Sequence, residues 1–559
     1  MSDDVPGAPP RPRGISRHRI RLATIGFAAI FLLIAGRLVQ LGIAPDPQAR
    51  ERVDAEHALS IRRPDIVDRK GRLLATDIES ASVFADPKQM LDIDTAADKL
   101  GKVLGLDPVK LRSRFAKNRG FEWLARELTP QQRDAVFRLG IPGIDFMTED
   151  RRIYPNGPIV SHVLGSVDVD GHGIAGMEKY IDQIGDVAKA GDQKVLKPVR
   201  LSLDLDVQNV VREELVEGVQ HYKAIAGAGL VMDPNTGEVI ALVSIPDFNP
   251  NDPAAALKPD TIDRIAVGLF EMGSTFKALT EAMALDSGKI KMSDRFDASK
   301  PLQYGRFRIH DFEPMHRALN LAEIFKYSSN IGAARIAMAM GVDAHKAFLG
   351  KMGQLTRLKT ELPESASPIV PHPWGELNTI TIAFGHGLSV TPLQTMMAVN
   401  ALVNGGKLIT PTFLVRDQAE ADAVGKQVIK PSTSADMRYL MRLNAEEGSA
   451  KMANVPGYAI GGKTGTANKV VNGRYAEHKV LTDFTGVFPY YAPRYVVLVL
   501  LDEPKGLPET HGFHTAAWNS GVITGKIIQR IAPILGVPPD MSPPPNVPPG
   551  GITLAERTP

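Results

Sequence analysis

The sequence predicts an α+β domain, an antiparallel sheet covered by helices, and three observations carry that prediction. "GAGLVMD" (227–233) and "EVIALVSI" (238–245) are apolar runs joined by Pro234-Asn235-Thr236-Gly237, turn chemistry between paired strands. "DFTGVF" (483–488) and "RYVVLVLLDE" (494–503), separated by "PYYAP", form a second hairpin signature near the other end. Helical sequence lies between them, and "TGKIIQRIAPILG" (524–536) follows before Pro538. Strands at both ends of one region with helices between are the pattern of a sheet packed under helices.

The elements before this region read differently. From Leu22 to Ala44 the chain is apolar and charged only at Arg37, long enough to cross a bilayer core of ~30 Å. Arg11, Arg13, Arg17, Arg19 and Arg21 precede it against Asp3 and Asp4, so the positive-inside bias places residues 1–21 in the cytoplasm and everything after the span outside. The rival reading, a cleaved signal peptide, lacks a clear A-x-A site, and the apolar stretch continues past Arg37. Residues 45–196 mix strand-like runs ("IVDRKGRLLATDI", "ASVFAD") with a helical "AADKLGKVLG" and hold no tight catalytic cluster. "DVDG" (168–171) is too short for a calcium loop and reads as a turn. The expected division is therefore a tail (1–21), an anchor (22–44), a membrane-proximal domain (45–196), a catalytic domain (197–537) and a Pro-rich tail (538–559). The first 13 residues and the last segment have the composition of disorder.

Composition excludes several classes. With 65 basic and 63 acidic residues among 559, no global field favours nucleic acid. The absence of cysteine excludes disulfides, thiolate nucleophiles and Cys-bearing zinc sites.

The chemistry concentrates in three places. In "FEMGSTFKALTEAMALDSG" (270–288) Ser274 and Lys277 stand three residues apart at the start of a nearly all-apolar helix, hence on one face. A serine hydroxyl needs a base, and a desolvated lysine has its pKa lowered enough to serve. Ser328-Ser329-Asn330 follows 54 residues after Ser274, and Lys463-Thr464-Gly465-Thr466 135 residues after Ser328. Each alone is explained by a helix cap or a surface strand; the three in order are the S-x-x-K, S-x-N, K-T-G set of serine acyl-transfer enzymes. Gly457 to Thr464 also fits the phosphate-binding G-x-x-x-x-G-K-[ST] pattern. That reading needs an apolar strand before Gly457 and a helix starting at Lys463. "SAKMANVP" is no such strand, and "TANKVVNGRY" carries the hairpin signal Asn472-Gly473.

Together these segments make the chain resemble the class B penicillin-binding proteins, and within them the division-specific FtsI type. "IVDRKGRLLA", "RRIYPNGPIVSHVLG", "GIAGMEKYID", "MDPNTGEVIALVSIPDFNPN", "FEMGSTFK", "YSSN", "FGHGLSVTPLQ" and "GGKTGTANK" match in order over nearly the whole chain. Lys70 stands in a usual Asn place, Pro64 in a usual Gly place, and "TAAWNSG" departs from the common Ala-Ala-Pro. The resemblance implies a penicillin-binding/β-lactamase-like transpeptidase domain on a non-catalytic pedestal, with a D,D-transpeptidase activity on peptidoglycan stem peptides that β-lactams block. It implies Ser274 as nucleophile, Lys277 as general base, Ser328 as proton relay and Asn330 as a substrate-backbone contact. Whether Lys277 or Ser328 takes the first proton stays open. Lys463, Thr464 and Thr466 would bind the terminal carboxylate beside Gly465, and the N–H groups of Ser274 and Thr466 would form the oxyanion hole. No metal or organic cofactor is implied. The implied partners are an FtsW-type glycan polymerase and other divisome proteins, at the cytoplasmic membrane with the catalytic domain in the periplasm. Among relatives, a bifunctional class A enzyme would carry a glycosyltransferase domain where residues 45–196 stand. A β-lactamase would need an added deacylating base, for which Glu376 in "ELN" is the tempting residue. A sensor would carry further spans, and the elongation-specific transpeptidase is the nearest rival.

Overall fold

The computed structural model describes residues 17–43, 61–117, 120–189, 196–471 and 474–542. The expected disorder of residues 1–13, the turn at Asn472-Gly473 and most of the Pro-rich tail lie outside these residues. Helix α1 (Arg17–Ile43) has 27 residues, about 40 Å at 1.5 Å per residue. Its segment Arg21–Gln40 has mean hydropathy 2.2 and buries nothing. It is the one helix among the described residues long and apolar enough to cross a membrane. Arg37 donates to Gln40 one turn on, at 2.8 Å, which satisfies part of its guanidinium locally.

Residues 61–188 and 196–542 fold as one compact unit. The two strand-like runs read separately at 66–78 and 81–86 belong largely to one continuous strand. After β1 (Ile66–Val67) and a turn at Gly71, β2 runs unbroken from Leu73 to Ala85. Helices α2 (Ile93–Leu104) and α3 (Pro108–Lys117), strand β3 (Glu122–Leu128), helix α4 (Pro130–Phe137) and strand β4 (Ile144–Ile153) follow. β3 and β4 flank β2 antiparallel, and Val83, Leu100, Phe115, Leu124 and Val136 close a small core between sheet and helices. β5 (Val199–Arg200) pairs parallel with β1. The quoted segments 151–165 and 173–182 meet through charge: Glu178 accepts from Arg63 and Arg152, each at 2.7 Å, in a buried cluster. "DVDG" is a turn, closed by Gly171 N donating to Asp168 O.

The larger sheet confirms both hairpins. Helix α5 (Leu205–His221), capped by Asp204, leads into β6 (Ala226–Met232) and β7 (Val239–Ile245). Near the other end come β8 (Gly461–Val471), β9 (Arg474–Phe488) and β10 (Tyr495–Asp502), then α11 (Ser520–Ile534). The order is β8-β9-β10-β6-β7, antiparallel throughout, so the distant hairpins meet where β10 pairs β6 with Leu498 opposite Leu230. Strand periodicity then sorts the side chains into two layers. Val231, Val243, Val497 and Val499 face α5 and α11, whereas Leu230, Leu242, Leu498 and Leu500 face the helices of the intervening chain. Those are α6 (Phe276–Ser287), α7 (Leu321–Tyr327), α8 (Asn330–Met340), α9 (Pro392–Val403) and α10 (Pro431–Glu447). Edge strand β8 lies beside the starts of α6 and α8.

Candidate active site

A short 3-10 turn, Gly273–Thr275, delivers Ser274 to the start of α6. Close backbone packing holds it there. Gly273 has φ +50°, and a Cβ on it would lie 2.6 Å from the Thr466 carbonyl oxygen of β8. From the other side, a Cβ on Gly385 (φ +88°) would lie 1.9 Å from the Gly273 carbonyl. Three backbones therefore meet without side chains between them, and Ser274 is pinned next to Thr466. One turn after Ser274, in the first turn of α6, Lys277 is fully buried. Its Nζ donates to the Ser328 carbonyl and, at 3.1 Å, to Ser328 Oγ. Burial, and then the charge of Lys463, push its pKa well below the ordinary lysine value, against the opposing pull of Asp311 and Glu281.

Ser328 closes α7 in the left-handed conformation, φ 52° and ψ 45°, which a non-glycine residue adopts at a cost of roughly 1–3 kcal/mol. Lys463 Nζ donates to the same hydroxyl at 3.0 Å, so Ser328 Oγ accepts from both lysines. The next residue starts α8: Ser329 Oγ caps Gly332 N at 2.9 Å and donates to Asp311 at 2.7 Å. Asn330 Nδ2 donates to the His310 carbonyl at 2.9 Å. Ser274, Lys277, Ser328, Asn330 and Lys463, spread over 190 positions of sequence, are thus gathered around the starts of α6 and α8 and the edge of β8.

On β8 alternate residues face opposite ways. Lys463 is fully buried and turned toward Ser328, with burial lowering its pKa to about 8 against the charges of Glu281 and Asp483. Thr464 and Thr466 share the other side. Thr464 Oγ1 lies 2.7 Å from Ser449 Oγ, and Thr466 Oγ1 accepts from Ala516 N at 3.2 Å, which puts the divergent "TAAWNSG" segment against the site. Gly465 is obligatory for a reason invisible in the motif. It pairs with Asp483 of β9, and a Cβ would lie 2.1 Å from Asp483 Oδ1. That carboxyl accepts from Thr275 Oγ1 at 2.6 Å, tying the nucleophile turn to the sheet, and its burial pushes its pKa up to about 7. Lys463 and Thr464 are strand residues here, and no helix starts at them, so a phosphate cradle has no place in this geometry.

Several residues that the sequence did not single out belong to this neighbourhood. Glu281, one turn beyond Lys277, is fully buried and neither oxygen has a hydrogen-bond partner; burial raises its pKa well above the usual carboxylate value, opposed by both lysines. Glu271, three residues before Ser274, accepts from Gly387 N and Tyr475 Oη. An acid at i+4 from a motif lysine is a readable helix-face signal; Asp483 has no local signal at all. Glu376 starts a short helix, Glu376–Ile382, and accepts from Tyr304 Oη at 2.8 Å on the exposed surface.

The penicillin-binding protein transpeptidase domain model matches residues 227–527, and the penicillin-binding protein dimerisation domain model matches residues 59–185. A probable peptidoglycan D,D-transpeptidase FtsI from Caulobacter vibrioides is 37% identical over 486 residues, 85% of this chain and 82% of that protein. The peptidoglycan D,D-transpeptidase FtsI of Escherichia coli is 30% identical, with 92% of each chain covered. The crystal structure of a peptidoglycan synthetase from Bifidobacterium adolescentis shares the fold at a TM-score of 0.68 and 23% identity, covering 88% of this chain and 98% of that one. The chain belongs to the penicillin-binding protein transpeptidase family, as a class B member of the FtsI type.

Proposed function

We propose that this protein is a peptidoglycan D,D-transpeptidase that crosslinks stem peptides at the division septum through an acyl-enzyme on Ser274. The observation that supports it most is the convergence of two buried lysines on Ser328 Oγ beside a serine held by packed glycine backbones. Ser274 Oγ attacks the carbonyl between the two D-alanines. Its proton passes to Lys277, whose pKa burial depresses, and Ser328 relays it to the departing D-alanine nitrogen. The N–H groups of Ser274 and Thr466 receive the developing oxyanion, a contribution of about 3–4 kcal/mol in comparable sites. Thr464 and Thr466 bind the terminal carboxylate with the Lys463 charge behind them, and Asn330 contacts the peptide backbone. An amine of a second stem peptide then takes the acyl group.

In this reading residues 1–21 are cytoplasmic, 22–44 anchor the chain, 45–196 form a pedestal for an FtsW-type polymerase and other divisome proteins, and 197–537 act in the periplasm. The test incubates the detergent-solubilised full chain with a fluorescent penicillin and locates the adduct by peptide mass. A slowly released adduct on Ser274, missing in Ser274→Ala, is expected; a rapidly turned-over adduct would make the protein a β-lactamase.

Acylation also has a pH signature. With its pKa at about 8, Lys463 is cationic below that value and neutral above it. The second-order rate of acylation is therefore expected to fall as pH rises through about 8 and Lys463 loses its charge. Stopped-flow acylation followed from below to above that pH checks the sign.

A further inference from the structure

Against the residues just before Ser274, the chain builds a second small constellation. Gly385-His386-Gly387 is fastened to the residues just before the nucleophile at two points: Gly385 packs on the Gly273 carbonyl, and Gly387 N donates to Glu271 Oε1 at 2.8 Å. His386 between them is therefore held at the nucleophile turn. Its ring lies 5.5 Å from that of Phe384 and 5.6 Å, edge to face, from Tyr475 of β9. Tyr475 Oη in turn donates to Glu271, 3.1 Å from either oxygen. His386 Nδ1 is buried with no hydrogen-bond partner.

We propose that Glu271 and His386, roofed by Tyr475, form the site for the acyl acceptor, a primary ammonium group of a second stem peptide; this rests on the transpeptidase reading above. Charge complementarity selects this site. Lys463, cationic below its pKa of about 8 and bound to Ser328 Oγ, suits the donor's carboxylate, whereas an ammonium needs a carboxylate such as Glu271. The other carboxyl groups near Ser274 are occupied or enclosed. Asp311 caps α8, Asp483 is tied to Thr275, and Glu281 is fully buried. Glu271 is partly open, and its Oε2 is engaged by Tyr475 alone. Burial, and then the nearby charge of Lys277, lower the His386 pKa to about 4, so its ring is neutral at physiological pH, does not repel an ammonium and can accept from it.

The proton balance follows. The acceptor nitrogen arrives as R–NH3+ and must lose two protons as the C–N bond forms and the ester C–O bond to Ser274 breaks. One leaves to the Glu271 carboxylate and so to solvent. The other passes to Lys277, which gave the Ser274 proton to the departing D-alanine and is free to accept again, and from there to Ser274 Oγ.

The experiment uses the full chain in detergent, a thioester analogue of the donor peptide and a D-amino acid as acceptor, and measures the ratio of aminolysis to hydrolysis of the acyl-enzyme. Glu271→Gln keeps the acceptor for Gly387 N but removes the charge. It is expected to raise the acceptor concentration for half-maximal aminolysis at least about tenfold, the scale of one lost ion pair in a partly buried site, with Glu271→Asp restoring part of it. His386→Gln, a second variant independent of the first, is expected to lower the aminolysis ratio at saturating acceptor. An unaltered ratio in both variants, with Ser274 still acylated, would overturn the acceptor assignment alone. Failure of the wild-type chain to acylate Ser274 would overturn the transpeptidase reading itself.

Discussion

Lys277→Ala is expected to slow acylation of Ser274 by about 10²–10⁴-fold, the usual contribution of a positioned general base. The lysine is buried at 0% exposure, its Nζ rests on the Ser328 carbonyl and hydroxyl, and Lys463 beside it suppresses its charge. Removing it takes away the amine one turn from Ser274, while Lys463 still binds Ser328 Oγ. The measurement is the rate of fluorescent penicillin labelling, with the unfolding midpoint checked to separate chemistry from folding. A loss below about tenfold would move the first proton transfer to Ser328.

Gly385→Ala is the second large effect expected, although residue 385 carries no chemistry. Its φ of +88° disfavours any side chain, and the added Cβ would sit 1.9 Å from the Gly273 carbonyl, backbone that cannot swing aside. Backbone strain of this kind costs roughly 1–3 kcal/mol before the clash is counted. Relief requires the Gly273–Thr275 turn to move, and a displacement near 1 Å at the reacting centre costs about 10²-fold in rate. Both a lowered unfolding midpoint and an acylation rate at least about a hundredfold slower are expected. A variant that matched the wild type in both would show that the three-backbone contact does not position Ser274.

Local pattern carried much of this molecule. The hairpins at 227–245 and 483–503 were legible because buried strands show continuous apolar runs and their turns show Pro-Asn-Thr-Gly or Pro-rich chemistry. The nucleophile helix was legible because its apolar side chains and terminal Gly288 are properties of neighbouring residues. The long strand Leu73–Ala85 was not, because its polar middle, Thr76 to Ser80, breaks the apolar run and only pairing with β4 keeps it extended. Glu271, His386 and Tyr475 were equally hidden, since their association depends on two loops and a hairpin that meet only in the folded chain.

By itself the sequence determined the membrane-compatible helix, the α+β class and the identity and order of Ser274, Lys277, Ser328, Asn330 and the Lys463–Thr466 strand. These follow from hydrophobic period and side-chain chemistry, which act over a few residues. Only the tertiary structure decided which charges those groups carry and what holds them in place. A lysine pKa falls because of what surrounds it, and Lys277 and Lys463 are 186 positions apart in the chain yet share one hydroxyl. Gly465 is required by the carboxyl of Asp483, a partner that exists only in one strand register. Desolvation, register and close backbone approach arise from the whole chain packing together, and no window of sequence contains them.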